Sequence, residues 1–542
     1  MERLYSEKFK RLYLYIIFII FSVIIVLSKD CLSDDILFFY NRVNQLTICL
    51  EDGNFPWFYY KDFNNMGYGN SFFYGDILNY LFIPIVKYAD YLTFYLVLRI
   101  FILILWFSGS VRLSKVLVDD YYFLSFIFLT CSVITYSLSS CFLVSMLIAQ
   151  GLSMHFFAST LRFFKGYSSF VSSSLLFWVI INTHNLTATI CFIFCCICLI
   201  KYFRFEYIKY YIEFCLFTVI LCSYYILNFL WHSKSGCLGR ISYINNAYVS
   251  YTDFPNCFSF FTGNLGQIIC NIFRINDRTY GVITLPILIL AVYISIKYKK
   301  KVLGVCILFL YIICLFWADL FIKDIFQMPI RFYYCIIFYI CYEIVINISS
   351  NKKYLLYLFG FLEIYLCFML FSFTINSTNS IVDLDDCVYD DLNSFSGLAV
   401  LSGEYLESKF EYNAMRNYID GVITEESCRL VDSSKNVYVN GDVIDYTEDK
   451  EKIIIELDQS GTVQFPKLYY RGYVLKDENG SVYDIWSGYS QFITANLPDE
   501  PHTYTLYYSH PVWLKILFLL DLIIVGVCLI YVVFNKKKYF KF

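Results

Sequence analysis

The chain alternates between long apolar runs and short polar or basic connections. A membrane span needs about 20 predominantly apolar residues. The first such run covers residues 13–27 and follows Arg3, Lys8, Lys10 and Arg11. It is succeeded by Ser28-Lys29-Asp30-Cys31, which offers no small-residue cleavage site. A retained first helix with a cytoplasmic N-terminus is therefore expected rather than a cleaved signal peptide. Further runs at about 91–109, 121–138, 142–159, 168–182, 187–200, 210–230, 281–296, 302–318, 332–348, 354–373 and 512–534 bring the expected total to about twelve spans. Arg112 with Lys115, Arg162 with Lys165, Lys201 with Arg204 and Lys209, residues 297–301, Lys352 with Lys353, and residues 536–538 fall in alternate connections. The positive-inside rule assigns those connections, and both termini, to the cytoplasm.

Three longer segments are left on the opposite side: 29–90, 231–280 and 374–511. The expected organisation is a spanning body over 1–373 that carries the first two as external loops. A mostly β extracytoplasmic domain follows over 374–511, then a final helix and basic cytoplasmic tail over 512–542. The third segment holds many of the acids, among them Asp383, Asp385, Asp386, Asp390 and Asp391. Its second half has the period of short strands at 452–457, 462–465, 468–475, 490–494 and 502–508, with Asn479-Gly480 and Pro498-Asp-Glu-Pro as turn signals. An antiparallel β-sandwich of about 110–130 residues is expected there. The fold class is thus mainly α, a polytopic membrane protein with a β-sandwich before its last helix, and the expected location is the plasma membrane.

Composition agrees. Hydrophobic residues make up 58% of the 542 and charged residues 16%, and mean hydropathy is +0.57. A soluble domain carries about 25% charged residues, so this chain needs lipid as its solvent. The formal charge of −3 is segregated along the chain, and no basic stripe suited to nucleic acid exists. Most of the 21 cysteines sit in apolar runs, as at Cys191, Cys195, Cys196 and Cys198, where they act as small hydrophobes. Cys31, Cys49, Cys237, Cys257, Cys387 and Cys428 lie outside such runs and leave any disulfide connectivity open. No CxxC pair with a matching partner pair occurs, so a zinc site is not expected.

The first external loop concentrates chemistry. Asp34 and Asp35 lie just beyond the first helix, where a carboxylate can deprotonate a hydroxyl or hold a divalent metal against a phosphate. Solvation of a helix end is the plain alternative for both. Arg42, Arg274, Arg278 and Arg331 are cations near the expected outer surface, suited to phosphate, or to snorkelling and solvation. His184, beside Asn182 and Asn185, falls at the outer end of a span, where a hydrogen-bonded structural role competes with a functional one. Trp57, Tyr68 and Tyr74 suit stacking on sugar rings or membership of an interfacial aromatic belt.

Asp35 with Arg42, Gly53-Asn-Phe-Pro56-Trp57, and Gly67-Tyr68-Gly69 followed by Phe73-Tyr74 resemble the first-loop signature of bacterial YfhO-like membrane proteins. These belong to the wider group of GT-C-type glycosyltransferases. Other pieces follow in family order: Thr183-His184-Asn185, the segment 280–286, Gln327-Met-Pro329-Ile-Arg331-Phe332, Gly403-Glu404-Tyr405-Leu406, and Tyr469-Tyr470-Arg471-Gly472-Tyr473 with Asp477 to Gly480. The resemblance spans nearly the whole chain. Phe39 stands where some relatives carry His, and Tyr473 where Trp is usual.

What the resemblance implies is an inverting transfer of sugar from a polyprenyl-phosphate carrier to a cell-envelope acceptor, a teichoic-acid-like polymer or another glycan, on the outer face of the membrane. It implies Asp35, helped by Asp34, as general base or metal holder, so that no cofactor beyond a divalent metal is called for. Arg331, with Arg42 and Arg278 behind it, would neutralise the carrier phosphate. His184, Trp57, Tyr68, Tyr74 and Glu404 would contact sugar or acceptor. The partners would be the bilayer, the lipid-linked sugar, the polymer and a polyprenyl-phosphate sugar synthase of the same pathway. A lipid-linked sugar transporter or flippase, and a non-catalytic polymer-assembly protein, are the alternatives; internal repeats and broken helices would favour the transporter. No P-loop or Rossmann turn is present.

Overall fold

The computed structural model describes residues 7–27, 34–63, 65–119, 121–122, 124–125, 128–129, 144–166, 168–234, 292–301, 304, 339, 342–343, 346–347 and 424–539. The expected span at 354–373, and most of those at 121–138, 281–296, 302–318 and 332–348, lie outside the described residues. So do most of the loop 231–280 and the first part, 374–423, of the third external segment.

Within the described residues the protein is mainly helical, with a C-terminal β-sheet region. The first apolar run forms α1, Glu7–Leu27, and the first loop opens with α2, Asp34–Glu51. Irregular backbone then leads to α3, Ile83–Tyr88, and α4, Tyr91–Leu117, whose first turn is capped by Asp90 accepting from the Thr93 amide at 2.8 Å. After these come α5 (Val144–Phe164), α6 (Val171–Ile181) and α7 (Asn185–Tyr202). The pair α8 (Ile208–Leu221) and α9 (Ser223–Ser233) precedes the short α10 (Glu425–Ser433), and α11 (Val512–Tyr539) closes the described chain.

Four of these helices are long and apolar enough to cross a membrane: Tyr91–Leu117, Val144–Phe164, Asn185–Tyr202 and Val512–Phe534. The run expected as one span at 210–230 is instead bent by 54° between α8 and α9. The break has a specific stabiliser. Asp521 of α11 accepts from the Tyr224 amide at 3.1 Å and from Ser223 Oγ at 3.2 Å, satisfying donors that a new helix start leaves open. Run 168–182 yields only the 11-residue α6, which at 1.5 Å per residue falls well short of a bilayer's hydrocarbon thickness. The outer surface of α11 is greasy: Ile523, Ile530 and Val533 are 63%, 60% and 61% exposed, a surface for which lipid is the fitting solvent.

The sheet region contains two antiparallel five-stranded sheets. Their strands are β1 (Val437–Val439), β2 (Asp442–Ile444), β3 (Thr447–Asp449), β4 (Lys452–Leu457), β5 (Gly461–Leu468), β6 (Tyr473–Asp477), β7 (Val482–Tyr483), β8 (Ile485–Ser487), β9 (Phe492–Leu497) and β10 (His502–Tyr508). One sheet has the order β2-β1-β5-β9-β8 and the other β3-β4-β10-β6-β7. Alternation along β4 turns Ile453, Ile455 and Leu457 inward, and Leu475, Tyr504 and Leu506 meet them from β6 and β10. The run expected as one strand at 468–475 turns at Gly472, so that Leu468 ends β5 and Tyr473 begins β6.

The core of this region is not its own. Phe58, Tyr59, Tyr60, Met66, Tyr68, Phe72 and Phe73 of the first loop are buried in one cluster with Val463, Phe465, Tyr470, Leu475 and Tyr508 of the sheets. Pro466 lies where the β5–β9 register shifts, as expected for a strand proline that cannot donate to the ladder. There the Leu468 amide bonds the Met66 carbonyl at 2.9 Å instead.

Candidate functional site

The site is built around α2 and the loop 52–82. Helix α2 starts at Asp34 and Asp35; their side chains, like Arg274, Arg278, Arg331 and Glu404, lie outside the described residues. Further along, α2 presents Asn41, Arg42 and Gln45, all buried.

Arg42 is 2% exposed and forms an ion pair of 2.7 Å with Asp76. Burial penalises its charge, and Asp76 beside it more than restores it, so the guanidinium is held above its ordinary range. Tyr74 and Phe38 cover it at 5.3 and 5.9 Å, and Asn79 Nδ2 donates to the same Asp76 oxygen at 2.6 Å. One position earlier, Asn41 Nδ2 donates to Asp62 at 2.9 Å, and the Phe63 amide donates to the same oxygen at 2.8 Å. Burial still pushes the Asp62 carboxyl up to about 6. These two pairs fasten α2 to the loop at two points, Asp62 and Asp76.

The Gly67-Tyr68-Gly69 stretch earns its glycines by close approach. A Cβ on Gly69 would lie 2.5 Å from the Tyr470 ring, and one on Gly67, whose φ is +81°, would lie 2.7 Å from Phe58. Tyr68 is therefore a core residue, 1% exposed and bridged to Tyr59. Tyr74 is committed to Arg42.

The sheet region grips the loop from its other side. Lys467 is 2% exposed, and its ammonium donates to the carbonyls of Tyr60, at 3.2 Å, and Asn65, and to Glu448 at 2.8 Å. Lys450 donates to the Asp52 carbonyl at 2.7 Å. The Asp52 carboxylate, held below its ordinary range by Lys61 and Tyr60, pairs with Lys61 at 2.7 Å.

From below, helix ends grip it too. The Phe73 carbonyl accepts from Tyr225 Oη at 2.6 Å and Asn185 Nδ2 at 3.3 Å, and the Phe72 carbonyl from Asn228 Nδ2 at 3.3 Å. His184 sits at this junction as the cap of α7: its Nδ1 accepts from the Thr187 amide at 3.2 Å. His232 of α9 stacks on Phe72 with centroids 3.5 Å apart, and His510 stacks on Trp57 at 4.5 Å and 5°. The Tyr508 hydroxyl lies between the two imidazoles, 3.4 Å from each. Trp57 also packs against Phe55 and Phe518, which makes it a joint between loop and last helix.

No family model, curated protein or solved structure matches the chain. The geometry alone therefore speaks here. It brings Arg42, Trp57, Tyr68, Tyr74 and His184 to one body around the loop, each with a packing or capping partner. Among the described residues no group of three or more His, Cys, Asp or Glu side chains comes together to hold a metal. Cys49 and Cys428 carry free thiols.

Sequence reading missed Asp62, Asp76, Lys467 and the His232–Tyr508–His510 cluster, whose partners are distant in the chain. It also passed over two charges inside apolar runs. One is Asp521; the other is Arg99, 1% exposed in α4 with its guanidinium 3.9 Å from the centre of the Tyr95 ring. A charge inside a span is itself a signal, and both were visible on that ground.

Proposed function

We propose that the chain is a multi-span membrane glycosyltransferase that moves a sugar from a polyprenyl-phosphate carrier to an envelope acceptor at the outer face of the membrane. The resemblance of its motifs supplies the reaction class. The supporting observation is polarity. The loop 52–82 and the sheets gather where α4, α7 and α11 begin and where α6 and α9 end. The basic residues Arg112, Lys115, Arg162 and Lys165 lie at the far ends of α4 and α5, where Lys165 reaches the Val116 carbonyl at 3.2 Å. With those ends in the cytoplasm, the loop, the sheets and the start of α2 face outward.

In this reading Asp35, backed by Asp34, takes the proton of the acceptor hydroxyl as it attacks the sugar carbon and the phosphate leaves. Arg331 binds that phosphate. Arg42 serves differently: paired with Asp76, it fixes the helix that carries the base. The test is turnover by purified protein given a polyprenyl-phosphate sugar and acceptor. Asp35→Asn should abolish transfer while the protein amount holds, and undiminished transfer would remove the general-base role.

The broken pair α8–α9, with a carboxylate at the break, is a feature shared with transporters. It favours movement of the same lipid-linked sugar as the second reading. Movement of a labelled lipid across vesicles without sugar transfer would select it.

A further inference from the structure

The turn between β5 and β6 carries Arg471. Its guanidinium carbon lies 3.3 Å from the centre of the Trp231 ring, in the last turn of α9. Trp231 meets Trp513 edge-on, with centroids 5.8 Å apart and planes at 80°. Trp513 stands in the first turn of α11 and is 42% exposed, beside Val512 at 70%. An indole at the end of a spanning helix marks the headgroup layer, so Arg471 holds its charge at that depth.

Face-on stacking leaves a guanidinium's N–H donors free, because all five lie in its plane. Among the described residues no protein carbonyl or carboxylate accepts from Arg471. The indole N–H of Trp231 is likewise buried without a hydrogen-bond partner there. The side chain is thus already ordered, which removes much of the entropy that binding would otherwise cost. Its donor set matches the paired oxygens of a phosphate.

We propose that Arg471, clamped on Trp231 beside Trp513, binds the phosphate of a lipid headgroup where the sheet region meets the membrane. The inference rests on the membrane placement given above and not on glycosyl transfer. The phosphate belongs either to a bulk phospholipid or to the polyprenyl carrier, and the test separates them.

Full-length protein in detergent is incubated with phosphatidylglycerol, polyprenyl phosphate or phosphate-free diacylglycerol, and retained lipid is counted by native mass spectrometry. Wild type should retain the two phosphate lipids over diacylglycerol. Loss of a charge-assisted hydrogen bond should weaken retention about tenfold or more in Arg471→Ala. Arg471→Gln keeps the stem on Trp231 and serves the same purpose if the alanine variant does not fold. Weakened retention of both phosphate lipids identifies a general headgroup site, and of polyprenyl phosphate alone a carrier site. Retention unchanged in a folded variant, or equal retention of diacylglycerol, overturns the proposal. Because the assay needs no acceptor and no turnover, failure of the enzyme reading leaves its outcome intact.

Discussion

Arg42 was legible in the sequence as a cation near the expected outer surface and suited to phosphate, but its partner stands 34 residues on, at Asp76. Spacing gives no means of finding a pair closed by a folded loop. Removing one partner of a buried pair strands the other charge, so Arg42→Ala should cost about 3–5 kcal/mol. Replacement of both, as Arg42→Met with Asp76→Leu, should cost much less; thermal unfolding in detergent measures both, and equal losses would count against a buried charge pair. His510 and Asp62 give the site its pH response, with opposite signs. His510 is pushed down from 6.5 to about 3 by burial, with Lys515 adding to it. The unfolded chain therefore binds the proton more readily, and this contribution to stability is complete above pH 6.5 and lost as pH falls toward 3. Asp62 is raised from 3.8 to about 6, so its contribution is complete below pH 3.8 and lost as pH rises through 6. His510→Phe keeps a ring on Trp57 and removes this part of the effect, while the buried His232 beside it stays in place. Wild type should melt lower at pH 5 than at pH 7 and the variant by a smaller margin; the same slope in both would exclude His510 as the cause.

At the scale of elements, periodicity carried what it physically encodes. Strand β4 begins and ends where alternation placed it, at Lys452 and Leu457, because one of its faces is buried and the other is not. Apolar runs located α4, α5, α7 and α11, since a helix in lipid needs no polar face. The break between α8 and α9 left little trace, because its cap comes from Asp521, 298 residues beyond Ser223. Losing a capping acceptor costs about 0.5–2 kcal/mol, and the low dielectric around a span favours the upper end. Asp521→Leu should lower the melting temperature accordingly while Asp521→Asn, which keeps an acceptor, should restore most of it. If both variants melt together, the carboxylate acts there as a charge rather than a cap. Close helix packing makes a second demand. A Cβ on Gly151 of α5 would lie 2.6 Å from the Trp106 ring, and the Trp106 indole already donates to the Leu147 carbonyl at 2.8 Å. Gly151→Ala must therefore part α4 from α5 and should cost about 1–3 kcal/mol, measurable in the same unfolding assay.

For the whole molecule, the sheets read as a domain in the sequence because their strands are contiguous, whereas their core is shared with residues some 400 positions earlier. Lys467 bonds the Tyr60 carbonyl across 407 residues, and no local pattern announces such a contact. Consider residues 424–511 expressed alone. Phe58, Met66, Tyr68 and Phe72 would be missing from around Tyr470, Tyr473 and Tyr508, exposing aromatic faces worth about 1.5–3 kcal/mol each when buried. Lys467 would also lose both carbonyls that offset its burial, leaving Glu448 as its partner. A small domain is stable by only about 5–15 kcal/mol, so these losses consume most of what it has. The isolated segment should therefore show little cooperative unfolding by circular dichroism. A chimera with residues 52–76 joined to it through a flexible linker should recover a sharp transition. A fragment that melts cooperatively without the loop would mean that the sheets fold first and recruit the loop afterwards. A chimera that alone regains the transition would mean that loop and sheets are one folding unit, through which any movement of the sheets reaches the helix bearing Asp34 and Asp35 by way of Asp62, Asp76 and Arg42.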